Sequence, residues 1–196
     1  MHACVGTRSR LRQLVAGVVL AMLAPLLSID AQYAVSTAAV VPLTAFKSSG
    51  LTLAVTSGAT QSLASIADGA ANSFATPVRI TTSWELHPAV GELSVVAWFS
   101  SAAAALSSGT ASIPSAWMKG RVVTGSPVAF TAFTQNGVQG TGTAGASLLL
   151  FSFPILGNNR NGTRSDDLEL QLDLTGQPAL TPGTYSGVLN IQIVAQ

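Results

Sequence analysis

His87, the one histidine beyond the N-terminal leader, lies two residues after Glu85 and five before Glu92. An imidazole among carboxylates is the material of general-base chemistry, which also needs a nucleophile and an orienting group within hydrogen-bond reach. His87-Pro88 falls where an alternating stretch ends and a polar turn belongs, and no G-x-S-x-G, H-E-x-x-H or phosphate-cradling glycine loop is present. The residues therefore argue against an enzyme. Asn158, Asn159, Asn161, Asp166 and Asp167 form a second cluster, rich in the hard oxygen ligands that Ca²⁺ takes. Arg160 and Arg164 sit inside it and would repel a cation, so a solvated loop is the plainer reading. Asn161-Gly162-Thr163 in the same stretch is also a formal glycosylation sequon. A third set, Trp84, Trp98, Trp117, Phe99, Phe130, Phe151 and Phe153, has the rings a sugar-stacking platform would use. All but Trp117 stand in alternating or apolar stretches and read as core; Trp117, beside Ile113-Pro114, is the ring expected at the surface.

Composition narrows the address and the partners. Arg8, Arg10 and Arg12 precede an apolar run from Leu14 to Leu27 and a small-residue region ending at Ala34, the layout of a secretory signal peptide. The run is shorter than the roughly 20 residues of a membrane-spanning helix, and Pro25 interrupts it. Residues 1–31 are thus read as leader, with cleavage after Ala31 or Ala34 and no membrane span afterwards. Cys4 lies ahead of the apolar run and leaves with it, so the mature chain has neither a disulfide nor a thiolate metal site. No cofactor is implied. Beyond the leader six basic residues face seven acidic ones, a net charge of −1. The counterion release that drives nucleic-acid binding is then nearly absent. Charged residues make up only 9% of the chain, which leaves Ser, Thr, Gln, Asn and Gly to build the surface. Such a surface suits a secreted protein of the periplasm, cell surface or extracellular space.

The elements that must position these residues are strands. Leu168, Leu170, Leu172 and Leu174 alternate with Glu169, Gln171 and Asp173, and Tyr185, Leu189, Ile191 and Ile193 share one parity of the last stretch. Period two with polar groups on one side means a strand with one dry face. These two are expected to join across the Pro/Gly-rich 175–184 turn. The same pattern places strands at Leu51–Thr56 and from Val78 to Leu86. Leu93–Ser100, apolar on both parities, should be central in its sheet. Met118–Val123, Val128–Phe133 and Ser147–Phe153 complete about eight strands. Weak helical turns are expected at Ser62–Ala67 and Ala102–Leu106, and Leu156–Asp167 is expected to be a loop. With no long helix and no repeat period, the profile is an all-β antiparallel sandwich over residues 51–196, preceded by an extended arm over 32–50.

The ending Leu180-Thr-Pro-Gly-Thr-Tyr185-Ser-Gly-Val-Leu-Asn-Ile-Gln-Ile-Val-Ala-Gln196 resembles the closing strand of spore-coat-U-like and archaic chaperone–usher pilin-like secreted domains. The resemblance implies an immunoglobulin-like fold that lacks a strand and receives an extended segment from a chaperone or from another copy of itself. The donor would be Val35–Phe46, interrupted by Pro42. Family members usually keep a disulfide that this chain does not have. On this reading the protein is a non-enzymatic structural or surface-assembly subunit. Tyr185, Leu189, Ile191 and Ile193, with Trp117, are its assembly or binding candidates. The alternative is an extracellular module that binds a glycan or Ca²⁺.

Overall fold

Residues that alternate between apolar and polar settle into pleated strands, and the dry faces of those strands then need one another. The computed structural model describes residues 34–35, 39–40, 46–48, 50–109 and 111–196. The expected leader, residues 1–31, lies outside these residues. Along the chain the strands are β1 (Ala34–Val35), β2 (Ala39–Val40), β3 (Phe46–Ser48), β4 (Leu51–Ser57), β5 (Ala71–Ser73), β6 (Val78–Glu85) and β7 (Glu92–Phe99). There follow β8 (Leu106–Ser108), β9 (Ala111–Ile113), β10 (Met118–Val122), β11 (Thr131–Ala132), β12 (Ser147–Pro154), β13 (Asn161–Asp173) and β14 (Leu189–Ala195). Seven of them span five residues or more. The only helical turn among the described residues is a 3₁₀ turn at Ser115–Trp117.

Two antiparallel sheets carry the fold. The first runs β1–β14–β7–β12, with β2 also on β14; the second runs β11–β10–β13–β6–β4–β3, with β5 beside the end of β13. A small β8–β9 ribbon stands apart. Inward side chains of both sheets share one core, with Leu51, Ile80, Leu168 and Leu172 from the second sheet and Leu93, Val95, Leu148, Ile191 and Ile193 from the first. Phe133, fully buried, meets the Phe99 ring edge-on at 5.0 Å. As expected from its apolar character on both parities, β7 is central, between β14 and β12.

Several expectations are corrected. The Leu168–Leu174 and C-terminal strands do not form a hairpin, because β13 and β14 belong to different sheets. Alternation identifies a dry face but not which sheet presents it. The 15 residues 174–188 are far longer than the two to five of a hairpin loop, long enough to cross between layers. The supposed loop Leu156–Asp167 is largely strand: β13 begins at Asn161, and its first eight residues pair with β6, Asn161 opposite Glu85 and Leu168 opposite Val78. Polar Thr163, Ser165 and Asp167 face outward, so the segment needs no apolar residues to keep its register. Of Val128–Phe133 only Thr131 and Ala132 join a strand. Ser62–Ala67 and Ala102–Leu106 contain no helical turn.

Candidate functional site

The C-terminal strand has two different flanks. On one, β7 pairs with β14 along its whole length, from Leu189 opposite Phe99 to Ala195 opposite Leu93. On the other lies the N-terminal arm, in two short pieces: Ala34 and Val35 stand opposite Ala195 and Val194, and Ala39 and Val40 opposite Ile191 and Asn190. The arm was expected to be an extended segment, and the parts of Val35–Phe46 within the described residues are the second residue of β1, all of β2 and the first residue of β3. The flank of β14 is therefore held by two short strands of the same chain's N-terminal arm. It is made of backbone N–H and C=O groups, which bind any extended segment of matching direction.

The expected assembly residues contribute differently from one another. Ile191 and Ile193 are fully buried and Leu189 nearly so. Their side chains anchor β14 in the core, and what the strand presents sideways is backbone. Tyr185 lies before the strand, half-buried against the core, and its hydroxyl donates to the Thr181 carbonyl at 2.9 Å. Trp117 is not a free surface ring; it ends the 3₁₀ turn and packs partly buried on the core.

The opposite edge of that sheet is blunted. β12 carries a bulge between Leu149 and Phe151 and ends in Pro154. Gln135 bridges to Ser147, and its Oε1 accepts the Leu149 N–H at 2.6 Å. Bulges and prolines are devices that keep an edge from recruiting strands.

The other candidate residues do not converge on a site. His87 is exposed in a turn where its Nδ1 accepts the Ala89 N–H at 3.2 Å, while the Glu92 carboxylate accepts hydrogen bonds from Ser94 and Ser152. Asn159 closes its own turn, with Nδ2 donating to the Pro154 carbonyl at 2.9 Å and its backbone carbonyl accepting the Trp84 indole N–H at 2.9 Å. Asn158 is exposed, and Asn161 opens β13. Asp166 is buried and gripped by Arg164, Nε to Oδ2 at 2.6 Å and Nη2 to Oδ1 at 2.7 Å, with Thr124 Oγ1 donating at 3.1 Å. Asp167, on the opposite face of the strand, lies 3.8 Å from Arg79. The five oxygen-bearing residues thus spread along a strand, and no group of three or more His, Cys, Asp or Glu side chains gathers among the described residues. Trp84, Phe99, Phe151 and Phe153 pack internally, whereas Trp98 and Phe130, expected in the core, are only partly buried and stand outside it. Trp84 meets Phe153 at 5.3 Å, Phe153 stacks on Phe151 at 5.9 Å, and Arg164 covers Phe151 at 4.5 Å. Phe130 lies under Arg121 at 4.6 Å.

No helix among the described residues is long and apolar enough to cross a membrane. A scan of family models, a search of curated proteins and a search of solved structures each returned no match.

Proposed function

We propose that this chain is a secreted, non-enzymatic assembly subunit with an immunoglobulin-like fold. The arm of one copy adds to the β14 edge of the next, at the cell surface or in the extracellular space. The observation that carries this reading is the double flank of β14, with a full strand of the sandwich on one side and two short arm segments on the other. Exchanging the arm between copies remakes the same pairs in trans, so the exchange costs little free energy in itself. A periplasmic chaperone with an extended segment would use the same edge.

Two further features support the reading. The Tyr185 hydroxyl reaches back four residues to a backbone carbonyl just before the closing strand, the arrangement found at the tyrosine corner of immunoglobulin-like sandwiches. The sparse charge of the chain also suits a protein that spends its exposed faces on neighbours. The test is size exclusion and electron microscopy of the mature chain, alone and with an excess of a synthetic peptide of residues 32–48. Multimers that shorten as peptide is added are the expected result. A stable monomer that takes up no peptide would overturn it.

A further inference from the structure

A cleft of about 770 Å³ opens between the two sheets, beside the start of β14. Its floor is the core itself, where Val78, Phe99, Met118 and Leu170 reach it from both layers. Its walls carry Leu63, Ile66, Leu180 and Tyr185, all only half-buried. Apolar side chains left part-wet around a concave space favour an apolar guest, since its entry removes both surfaces from water. The volume falls in the roughly 300–1,000 Å³ range of small-molecule sites.

Two segments without regular structure form the mouth, residues 58–70 and 174–188, of 13 and 15 residues. Loops of this length in a compact domain usually serve a function. They are tied to each other, because the Leu180 N–H donates to Asp68 Oδ1 at 3.1 Å. Each is also pinned internally, by Gln61 Nε2 on the Gly58 carbonyl at 2.7 Å and by Tyr185 on Thr181. Hydroxyls of Ser62, Thr181 and Thr184 lie along the lining. Asp68 is its only charged residue, and no Lys, Arg or His contributes to it. A carboxylate or phosphate head would find no cation there and would meet the like charge of Asp68.

We propose that this cleft binds an uncharged amphiphile, an apolar body with a hydroxyl head such as a long-chain alcohol. The body lies on the core floor, and the head stays among the hydroxyls of the mouth. The cleft shares Leu189, at the start of β14, and Tyr185, just before it, but none of the residues that pair with the arm, so its test is independent of strand exchange.

The experiment uses the mature protein and the neutral dye N-phenyl-1-naphthylamine, whose fluorescence rises in apolar surroundings, with displacement by 1-dodecanol and by dodecanoate. The expected result is saturable binding at one site, with dodecanol displacing the dye at least about tenfold more effectively than dodecanoate. Leu63→Asp, on the loop rather than in the core, should weaken dye binding by about tenfold or more. Thr184→Arg supplies the missing cation at an exposed position and should bring dodecanoate up to the level of dodecanol. It decides the matter even if Leu63→Asp fails to fold. Absence of saturable binding, equal displacement by the two competitors in the unaltered protein, dye binding that survives Leu63→Asp in folded protein, or no gain for dodecanoate in Thr184→Arg would each overturn the proposal.

Discussion

Trp84 lies against Gly162 so closely that a Cβ at position 162 would come within 2.4 Å of the indole Cζ2. The two residues are opposite one another on β6 and β13, and the ring uses the space a side chain would fill. Gly162→Ala therefore forces the indole away from Phe153 and from the Asn159 carbonyl. Overpacking of this kind costs about 1–3 kcal/mol. Urea unfolding should show a lowered midpoint, and an unchanged midpoint would mean that the ring moves freely.

The Arg164–Asp166 pair should behave as a buried one on its acidic side. Asp166 has only 3% of its side chain exposed, against 32% for Arg164. The hydrogen bonds and charge of Asp166 hold the guanidinium more firmly protonated than usual. Arg164→Ala strands the carboxylate and also uncovers Phe151, so a loss of about 2–4 kcal/mol is expected. Asp166→Leu combined with Arg164→Met should recover much of that loss. Chemical denaturation of the three variants checks the order.

Lys119 and Asp173 give the fold an acid-sensitive contact. Lys119 Nζ lies 2.5 Å from Asp173 Oδ2, and the Thr175 N–H donates to Oδ1 at 3.0 Å. The Lys119 hydrogen bond, reinforced by those of Thr175, lowers the Asp173 pKa to about 2. A carboxyl whose pKa falls on folding adds stability at pH values above its unfolded pKa, about 3.9. That stability is lost as pH drops through the folded value. The pair is solvent-accessible, so its contribution is about 0.5–1 kcal/mol. Asp173→Asn should lower stability by that amount at pH 7 and narrow its gap from the unaltered protein between pH 4 and pH 2. A gap that persists undiminished at pH 2 would contradict this.

Tyr185→Phe removes one hydroxyl from a partly exposed bond to Thr181 while keeping the ring. The expected cost is about 0.5–1.5 kcal/mol, read as a lower thermal midpoint with unchanged strand content by circular dichroism. A larger loss would mean that the corner orders the whole 174–188 segment.

The main strands were legible wherever one face was apolar. Leu168–Leu174, Val78–Glu85 and the doubly apolar β7 follow directly from side-chain parity. Parity does not report layers, which is why β13 and β14 read as partners although they occupy opposite sheets. Nor does it reveal a strand whose inward groups are polar but paired. Asn161–Asp167 looks like a loop until Arg164 and Asp166 satisfy each other inside and β6 supplies the register. The arm lacks alternation because two-residue pairings on the backbone of β14 demand little of side chains. The cleft had no local signature at all, since its walls come from segments more than 100 residues apart.

The most direct test of strand exchange uses the absence of cysteine beyond Cys4. Val40 and Asn190 stand directly opposite each other in an antiparallel pair, a separation that a disulfide can span. In a chain of residues 32–196 carrying Val40→Cys and Asn190→Cys, oxidation under assembly conditions should yield a ladder of covalently linked multimers on a non-reducing gel, collapsed by reductant. If every disulfide forms within one chain and only monomer is seen, the arm serves its own domain and the assembly account is wrong.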